Sequence, residues 1–455
     1  MLGEGVAVDD PVESQRWRAR ARQLPWHVWL AAIVAAGLAV RLGYVIGWSH
    51  PARESGDAVY YHVGANLLAD GEGFIHPVAA AFTMRRMPGA DHPPAYIVYL
   101  AAASLVGFRT FFAHQVWSCF LGAATVGLVG LTGRRIAGPR AGLGAAALAA
   151  VFPTMWMPDG WVLSETMAMF SVALVILAAY RCWDEPSRAR MLWLGAAVGL
   201  AALSRAELIL LGPLIAVPLF WYKRRRVAPV VASILLVGVT VVAVVSPWVV
   251  YNLSRFDHVV LLSDQSGETM AASWCNDGFY GDALGYKSYR CLSAWNQGAD
   301  WSESWTSYGR DHIERVPIVL TLRVARVWGL FRPAQQVQLE TYFGVERPPT
   351  WAAFAMSWLL LAMAPVGAVR LRRRGAPIFP LLAPIVVATL SIALTFGQLR
   401  YRAPVEPALV LLAAGVWARP RPPDTADDTA DDTADDDADH HAQDEAPADS
   451  ISAPA

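Results

Sequence analysis

Apolar stretches of near-spanning length recur along most of this chain, separated by short clusters of arginine, and no soluble core absorbs that pattern. About twenty apolar residues in an α-helix cover the roughly 30 Å hydrocarbon core of a bilayer while satisfying their own backbone hydrogen bonds. Of the 455 residues, 55% are hydrophobic and 16% charged. The chain therefore reads as an all-α polytopic membrane protein in contact with membrane lipid, and nothing in it points to a nucleic-acid partner. Its net charge of −1 hides an uneven distribution: 12 of the 38 acidic residues fall between Asp424 and Asp449, leaving 37 basic residues against 26 acidic ones elsewhere.

The arginine clusters set the topology, because cytoplasmic ends of membrane helices collect Lys and Arg. Arg16, Arg18, Arg20 and Arg22 precede the apolar run Trp26 to Gly47, which reads as an uncleaved signal anchor behind a cytoplasmic segment 1–25. Arg41 interrupts that run near its outer end, where it either snorkels to headgroups, the expected arrangement, or faces a polar cavity. Further clusters at Arg134/Arg135/Arg140, Arg181/Arg188/Arg190, Lys223–Arg226, Arg370–Arg374 and Arg419/Arg421 divide the chain into ten expected spans. These run near 26–47, 110–132, 141–157, 163–181, 191–204, 207–222, 228–250, 351–369, 376–396 and 404–418, placing both termini in the cytoplasm. Pro93 to Phe108 is apolar too, but counting it as a crossing would put Arg134 and Arg135 outside, so it reads as a re-entrant or surface helix.

This parse leaves a first outside loop at 48–109, a short outside turn at Pro158 to Ser164, and an extracytoplasmic region at 251–350. Residues 26–250 and 351–418 form the membrane modules, and the aromatic-free, aspartate-rich tail 419–455 lacks the apolar surface to fold. Cys275 and Cys291 lie close together in a region facing an oxidising compartment, and a disulfide between them is expected. Trp274, Trp295, Trp301 and Trp305 read as loop core or interfacial belt before carbohydrate platform.

Candidate chemistry gathers in the outside loops. Asp57 is an acid that stays ionised at neutral pH and can take a proton from an acceptor hydroxyl; a solvated loop acid is the bland alternative. Tyr60 and Tyr61 follow it, and His92 heads the run His92-Pro93-Pro94-Ala95-Tyr96. No metal-ligand spacing, Walker loop or nucleotide fingerprint is present, so no cofactor is implied, and dependence on a divalent metal is left open.

The run Gly56-Asp57-Ala58-Val59-Tyr60-Tyr61-His62, with His92-Pro93-Pro94 behind it, resembles the first outside loop of the GT-C membrane glycosyltransferases. It is most similar to the protein mannosyltransferase and aminoarabinose transferase group, glycosyltransferase family 39. Further matches follow in order: Leu163-Ser164-Glu165, Ser204-Arg205-Ala206-Glu207, Pro247-Trp248 with Tyr251-Asn252 leading to Ser263 and Gly267, and Arg400-Tyr401-Arg402 with Pro404 and Glu406-Pro407. Together they cover most of residues 26–418.

The resemblance implies a GT-C fold, a donor sugar on a polyprenyl phosphate, and an aspartate general base in the first outside loop, the position of Asp57. Many relatives carry Asp-Glu where this chain has Asp57-Ala58, so Glu165 is the candidate second carboxylate, unless it is simply a helix-start acid. A departing phosphate gathers negative charge, which fixed guanidinium groups stabilise. Arg205, Arg400 and Arg402, outside against the positive-inside trend, are the candidate phosphate ligands together with His92. Interfacial arginines also snorkel, and Arg205 has a second option in Glu207, although i and i+2 residues do not face each other on a helix. Tyr60, Tyr61 and Glu207 are candidates for the sugar or acceptor pocket.

The expected activity is inverting transfer of a mannose- or arabinose-like sugar to a glycan, lipid or protein acceptor at the outer face of the plasma membrane. The rivals are a transporter or flippase of lipid-linked sugars, using Arg205 and Glu207 inside the membrane, and a non-catalytic cell-envelope assembly protein.

Overall fold

The computed structural model describes residues 24–48, 56–224, 226–291 and 301–418. The expectations for the first 23 residues, for the acidic tail 419–455 and for Trp295 lie outside the described residues. Among the described residues the regular elements are all helical, apart from an isolated bridge between Ile75 and Pro88.

Helix α1 spans Trp26–Gly47, and three short helices follow it: α2 (Asp57–Ala69), α3 (Pro77–Thr83) and α4 (Ala95–Leu105). At 11 residues, α4 rises only about 16 Å, well short of a bilayer crossing. It buries Tyr96, Ile97, Leu100 and Ala101 and leaves Val98 and Leu105 exposed. The apolar run 93–108 thus contains a packed helix, Ala95–Leu105, too short to cross a bilayer.

Helix α5 (Phe111–Ala137) starts at Thr110, whose hydroxyl accepts the Ala113 N–H at 3.1 Å, and ends on Arg134 and Arg135, which complement the helix dipole. Gly138, at φ 96°, then turns the chain directly into α6 (Pro139–Val151), with proline at the first helical position. Small residues let these two helices approach: a Cβ on Gly142 would lie 2.7 Å from the Arg134 nitrogen, and one on Gly133 3.1 Å from the Ala145 Cβ. A 46° bend separates α6 from α7 (Pro153–Trp161).

The chain continues through α8 (Glu165–Asp184), α9 (Arg188–Ser204), a 3₁₀ turn at Ala206–Leu210, α10 (Leu211–Arg224) and α11 (Val227–Leu253). The long loop region contributes α12 (Ser266–Ala271), α13 (Asn276–Phe279), α14 (Trp301–Asp311), α15 (Val316–Val327) and α16 (Pro333–Thr341). The Cys275–Cys291 disulfide is formed there, and Trp274 is buried against Phe279 and Trp305 as loop core. Helices α17 (Arg347–Arg373), α18 (Phe379–Leu394) and α19 (Glu406–Ala414) complete the bundle.

Among the described residues, six segments are long and apolar enough to cross a membrane, or seven with the bent α6–α7 pair, which makes this a multi-pass membrane protein. The other three expected spans, 191–204, 376–396 and 404–418, correspond to helices of 17, 16 and 9 residues, short by the same measure. Helix α8 begins at Glu165 and ends near Arg181, whereas α9 begins at Arg188 and ends at Ser204, so the bundle has two chemically different ends.

Arg41 does not snorkel. It is fully buried, with Nε 2.8 Å from the equally buried Asp159 Oδ2, and it donates to the carbonyls of Gly37 and Met155, each at 3.0 Å. Thr166 Oγ1 donates to the other Asp159 oxygen at 2.7 Å. The bend before α7 swings Asp159 back toward α1, and a guanidinium so supplied with acceptors has no need to reach headgroups. Removing one partner of a buried pair strands the other charge, at about 3–5 kcal/mol, whereas replacing both by apolar residues is often neutral. Arg41→Leu is therefore expected to lower the unfolding temperature in detergent sharply, with Arg41→Leu/Asp159→Leu recovering much of the loss. A double variant no more stable than the single one would contradict this account of the pair.

Candidate functional site

At the end of the bundle where α8 starts and α9 stops lies a cavity of about 750 Å³, within the range of roughly 300–1,000 Å³ usual for ligand sites. Asp57, Tyr60, Tyr61, His92, Glu165, Arg205, Glu207 and Arg400, eight of the nine residues singled out for catalysis or binding, line it.

Gly56 makes the first contribution, at φ 56°, a left-handed conformation that favours glycine and makes Asp57 the first residue of α2. A carboxylate there is favoured by the helix dipole. Arg400 Nη2 donates to Asp57 Oδ2 at 2.5 Å, and His92 Nε2 lies 3.7 Å from Asp57 Oδ1, within ion-pair range but beyond a direct hydrogen bond. Burial pushes the Asp57 carboxyl up, but the Arg400 guanidinium, helped by His92 and Lys287, overrides it and holds the group well below the usual carboxylate range. The side chain is still 27% exposed.

Tyr60 and Tyr61 are almost fully buried and act on His92 from two sides. Tyr61 stacks on its ring at 5.0 Å between centroids, and Tyr60 meets it edge-on at 4.9 Å. The Tyr60 hydroxyl also accepts the Asp91 N–H at 3.2 Å. Pro93 and Pro94 follow and open α4, so the imidazole is set by packing on one side and restricted backbone on the other.

Arg205 explains its own motif. Helix α9 ends at Ser204, and Arg205 is extended at φ −150° and ψ 125° before the 3₁₀ turn begins. That break brings residues i and i+2 together: Arg205 Nε donates to Glu207 Oε1 at 2.7 Å, and its Nη1 donates to Glu165 Oε1 at 3.1 Å. Arg400 Nε is 3.7 Å from the same Glu165 oxygen. Glu165 is thus a bridge between two arginines, and its Oε2 has no hydrogen-bond partner among the described residues. The ring of Tyr401 lies 4.7 Å from the Arg205 guanidinium carbon and 5.4 Å from that of Arg400.

Arg402 is the ninth candidate, and the structure places it elsewhere. Residues Leu399–Val405 form a 3₁₀ turn, in which i and i+2 point about 120° apart, so Arg400 and Arg402 diverge. Arg402 is fully buried, with Nε 2.7 Å from Glu406 Oε1 and further bonds to the Val327 carbonyl and the Ser357 hydroxyl. It braces the helices and does not line the cavity.

Four acidic or basic residues of the cavity lining escaped the sequence reading: His76, Asp91, Glu268 and Lys287. His76 and Asp91 pair at 3.2 Å, which raises the imidazole above its ordinary value. Burial, with Arg400 close by, lowers the Lys287 ammonium to about 8. The available signal was that Lys287 is one of two lysines in an arginine-dominated chain. The flanking motifs turn out to be clamps. Ser263 donates to the Asp91 carbonyl at 2.5 Å, while Arg255 donates to Asn252 Oδ1 at 2.9 Å and to the Phe74 carbonyl at 2.5 Å, fastening the first loop to the end of α11. Among the described residues, no group of three or more His, Cys, Asp or Glu is arranged to hold a metal ion.

An anion seated between Arg400 and Lys287 would be gripped less well as the ammonium deprotonates. Sulfate, whose charge is constant over the range, is expected to bind more weakly as pH rises through about 8, with Lys287→Arg removing the pH step and Lys287→Met binding throughout only as weakly as wild type does at high pH. Calorimetric titration between pH 6.5 and 9.5 reads this directly; an unchanged pH step in Lys287→Arg would assign it to another group.

Residues 91–251, less than half of the chain, match the family model described as dolichyl-phosphate-mannose-protein mannosyltransferase, a GT-C family. No curated protein matches the sequence. The apo oligosaccharyltransferase of Archaeoglobus fulgidus is similar in structure, with a TM-score of 0.50 and 15% identity over 85% of this chain and 50% of that one. The same enzyme tethered to an acceptor peptide gives 0.50 and 16% over 86% and 49%. ArnT from Cupriavidus metallidurans bound to undecaprenyl phosphate gives 0.40 and 15% over 87% and 78%. The chain spans about half the length of the oligosaccharyltransferase structures it matches. Helical architecture and family pattern agree, and the protein has the GT-C fold.

Proposed function

We propose that this protein is a glycosyltransferase that moves a mannose- or arabinose-like sugar from a polyprenyl phosphate to an acceptor hydroxyl on a glycan, lipid or protein. The observation that carries the reading is the meeting, in one cavity, of an ionised carboxylate with three cations from separate parts of the chain: Asp57 with Arg205, Lys287 and Arg400. The family model matched by residues 91–251, whose description names a dolichyl-phosphate-linked sugar, supports the donor class. By the positive-inside rule the arginine-rich helix ends face the cytoplasm, as do both termini, and the cavity opens on the outer face.

In the proposed step the acceptor oxygen attacks the anomeric carbon, its proton passes to Asp57, and the bond to the phosphate oxygen breaks with its electron pair leaving on the polyprenyl phosphate. Attack opposite the leaving group inverts the anomeric centre. Arg400 has a double part. Paired to Asp57 at 2.5 Å, it holds the carboxylate ionised but weakens it as a base. Its Nε has no hydrogen-bond partner among the described residues, so the guanidinium has donor capacity for an incoming phosphate. A donor phosphate that takes a share of Arg400 loosens its hold on Asp57, and basicity rises when the substrate is in place. Glu165 and Glu207 keep Arg205 and Arg400 aimed, Lys287 adds charge on the departing phosphate, and His92 sits beside Asp57 to orient the acceptor.

Reconstituted protein supplied with a polyprenyl-phosphate sugar provides the test. Asp57→Asn is expected to reduce transfer by about 10²–10⁴-fold, the usual contribution of a general base, while donor binding is retained. Arg400→Gln is expected to weaken donor binding as well as turnover. Full transfer by Asp57→Asn would eliminate the base assignment, and a chain that moves lipid-linked sugar across vesicles without transferring it would be a flippase.

A further inference from the structure

A second cavity, of about 240 Å³, opens at the arginine-rich end of the bundle, where α5, α8 and α9 meet. Its lining includes Leu174, Leu177 and Trp193 together with Arg135, Arg181 and Arg190. Arg181 lies 16 residues beyond Glu165 on the same helix, about 24 Å along its axis, so this cavity is separate from the site above.

The spacing along α8 gives the cavity its shape. Leu174 and Leu177 precede Arg181 by seven and four residues and so share its helix face, making an apolar slot that runs from the guanidinium toward the middle of the bundle. Trp193 on α9 flanks it and is 69% exposed, as befits an indole at a membrane interface.

The charges at the mouth are unbalanced. Arg135 Nε pairs with Asp184 Oδ2 at 2.6 Å, and Arg190 pairs with Glu185 at 2.6 Å while its Nη1 donates to the Arg181 carbonyl at 2.9 Å. Arg181 is exposed and has no acidic partner among the described residues. Three guanidinium groups against two carboxylates leave one positive charge, carried by Arg181 above an apolar slot.

We infer that this cavity binds an anionic membrane phospholipid. A phosphodiester carries the single negative charge that the mouth lacks, Arg181 takes it with Arg135 and Arg190 at its flanks, and one acyl chain lies along Leu177 and Leu174. A soluble anion would use the arginines but not the slot. Basic pockets between membrane helices on the cytoplasmic side suit anionic headgroups in this way.

Native mass spectrometry of the full-length protein in detergent tests the inference, with phosphatidylglycerol and phosphatidylcholine titrated separately. Wild-type protein is expected to retain phosphatidylglycerol about fivefold more tightly, the factor for roughly one basic residue at a membrane surface. Arg181→Ala should abolish the preference, and Leu174→Trp, which fills the slot, should reduce retention of phosphatidylglycerol. Equal retention of the two lipids by wild type, or an undiminished preference in Arg181→Ala, overturns the proposal. So does displacement of bound phosphatidylglycerol by millimolar inorganic phosphate with no effect of Leu174→Trp, which would make the mouth a soluble-anion site. Sulfate binding at the main cavity, measured alongside, should be unchanged in both variants.

Discussion

The site depends on an alternation of charge: Asp57, Arg400, Glu165, Arg205 and Glu207 stand in sequence, each ion next to one of opposite sign, at 2.5, 3.7, 3.1 and 2.7 Å. An isolated ion at this depth would suffer a desolvation penalty of several kcal/mol, and only neighbours of opposite sign keep such groups charged. The members come from the start of α2, the start of α8, the break after α9 and the 399–405 turn. The network is therefore also a tie between four parts of the chain. It carries one more negative than positive charge, which Lys287 offsets from the long loop. An anion entering this balance must exchange partners with a carboxylate, and that makes the basicity of Asp57 sensitive to what else occupies the cavity.

Guanidinium groups serve this protein in three ways, distinguished by their acceptors. Arg41 and Arg402 are surrounded by carboxylates, carbonyls and a hydroxyl, and their charge is spent on holding helices together. Arg205 and Arg400 are only partly supplied and keep donor capacity toward a cavity. Arg181 stands at a helix end with no acid paired to it among the described residues. Position along the chain does not separate these classes, because Arg400 and Arg402 are two residues apart and belong to different ones. The handedness and pitch of the 3₁₀ turn separate them.

This bears on what could be read from the sequence. The all-helical membrane architecture and the Cys275–Cys291 bridge were legible, since bilayer thickness and redox environment act on composition and spacing directly. The helical nature of 93–108 and the grouping of Asp57, His92, Glu165 and Arg205 were legible through topology and ordered motifs. Arg402 was misplaced because two residues of the same type in Arg-Tyr-Arg give no sign of which one turns inward. Arg41 was misread because its partner, Asp159, is 118 residues away and is delivered by a bend that hydropathy does not register. Lys287 was passed over because it sits in a loop of mixed composition, where burial is decided by tertiary contacts alone. Glu165 was found, but its bridging of two arginines follows from an arrangement of three segments that no local pattern encodes.

Those same tertiary contacts determine which wall of the cavity can adapt. Lys287 lies two residues from Gly285, whose carbonyl accepts the Gly397 N–H at 2.8 Å, three residues before Arg400. Trp274 Nε1 donates to the Leu394 carbonyl at 2.9 Å, and the buried Arg323 donates to the Ala393 and Ser273 carbonyls at 2.9 and 3.0 Å, joining the disulfide-closed loop to the end of α18. Glu340, which burial pushes up to about 7, accepts the Leu399 N–H at 2.8 Å from the other side. The wall carrying Lys287 and Arg400 is therefore a single braced unit, and the two cations keep a fixed separation. The opposite wall, with Asp57 at the first residue of α2, meets it at the Asp57–Arg400 pair, while Ser263 and Arg255 tie the rest of the first loop to the end of α11 and the segment after it. In the proposed reaction, loosening that pair would raise the basicity of Asp57 at the point where the two walls meet.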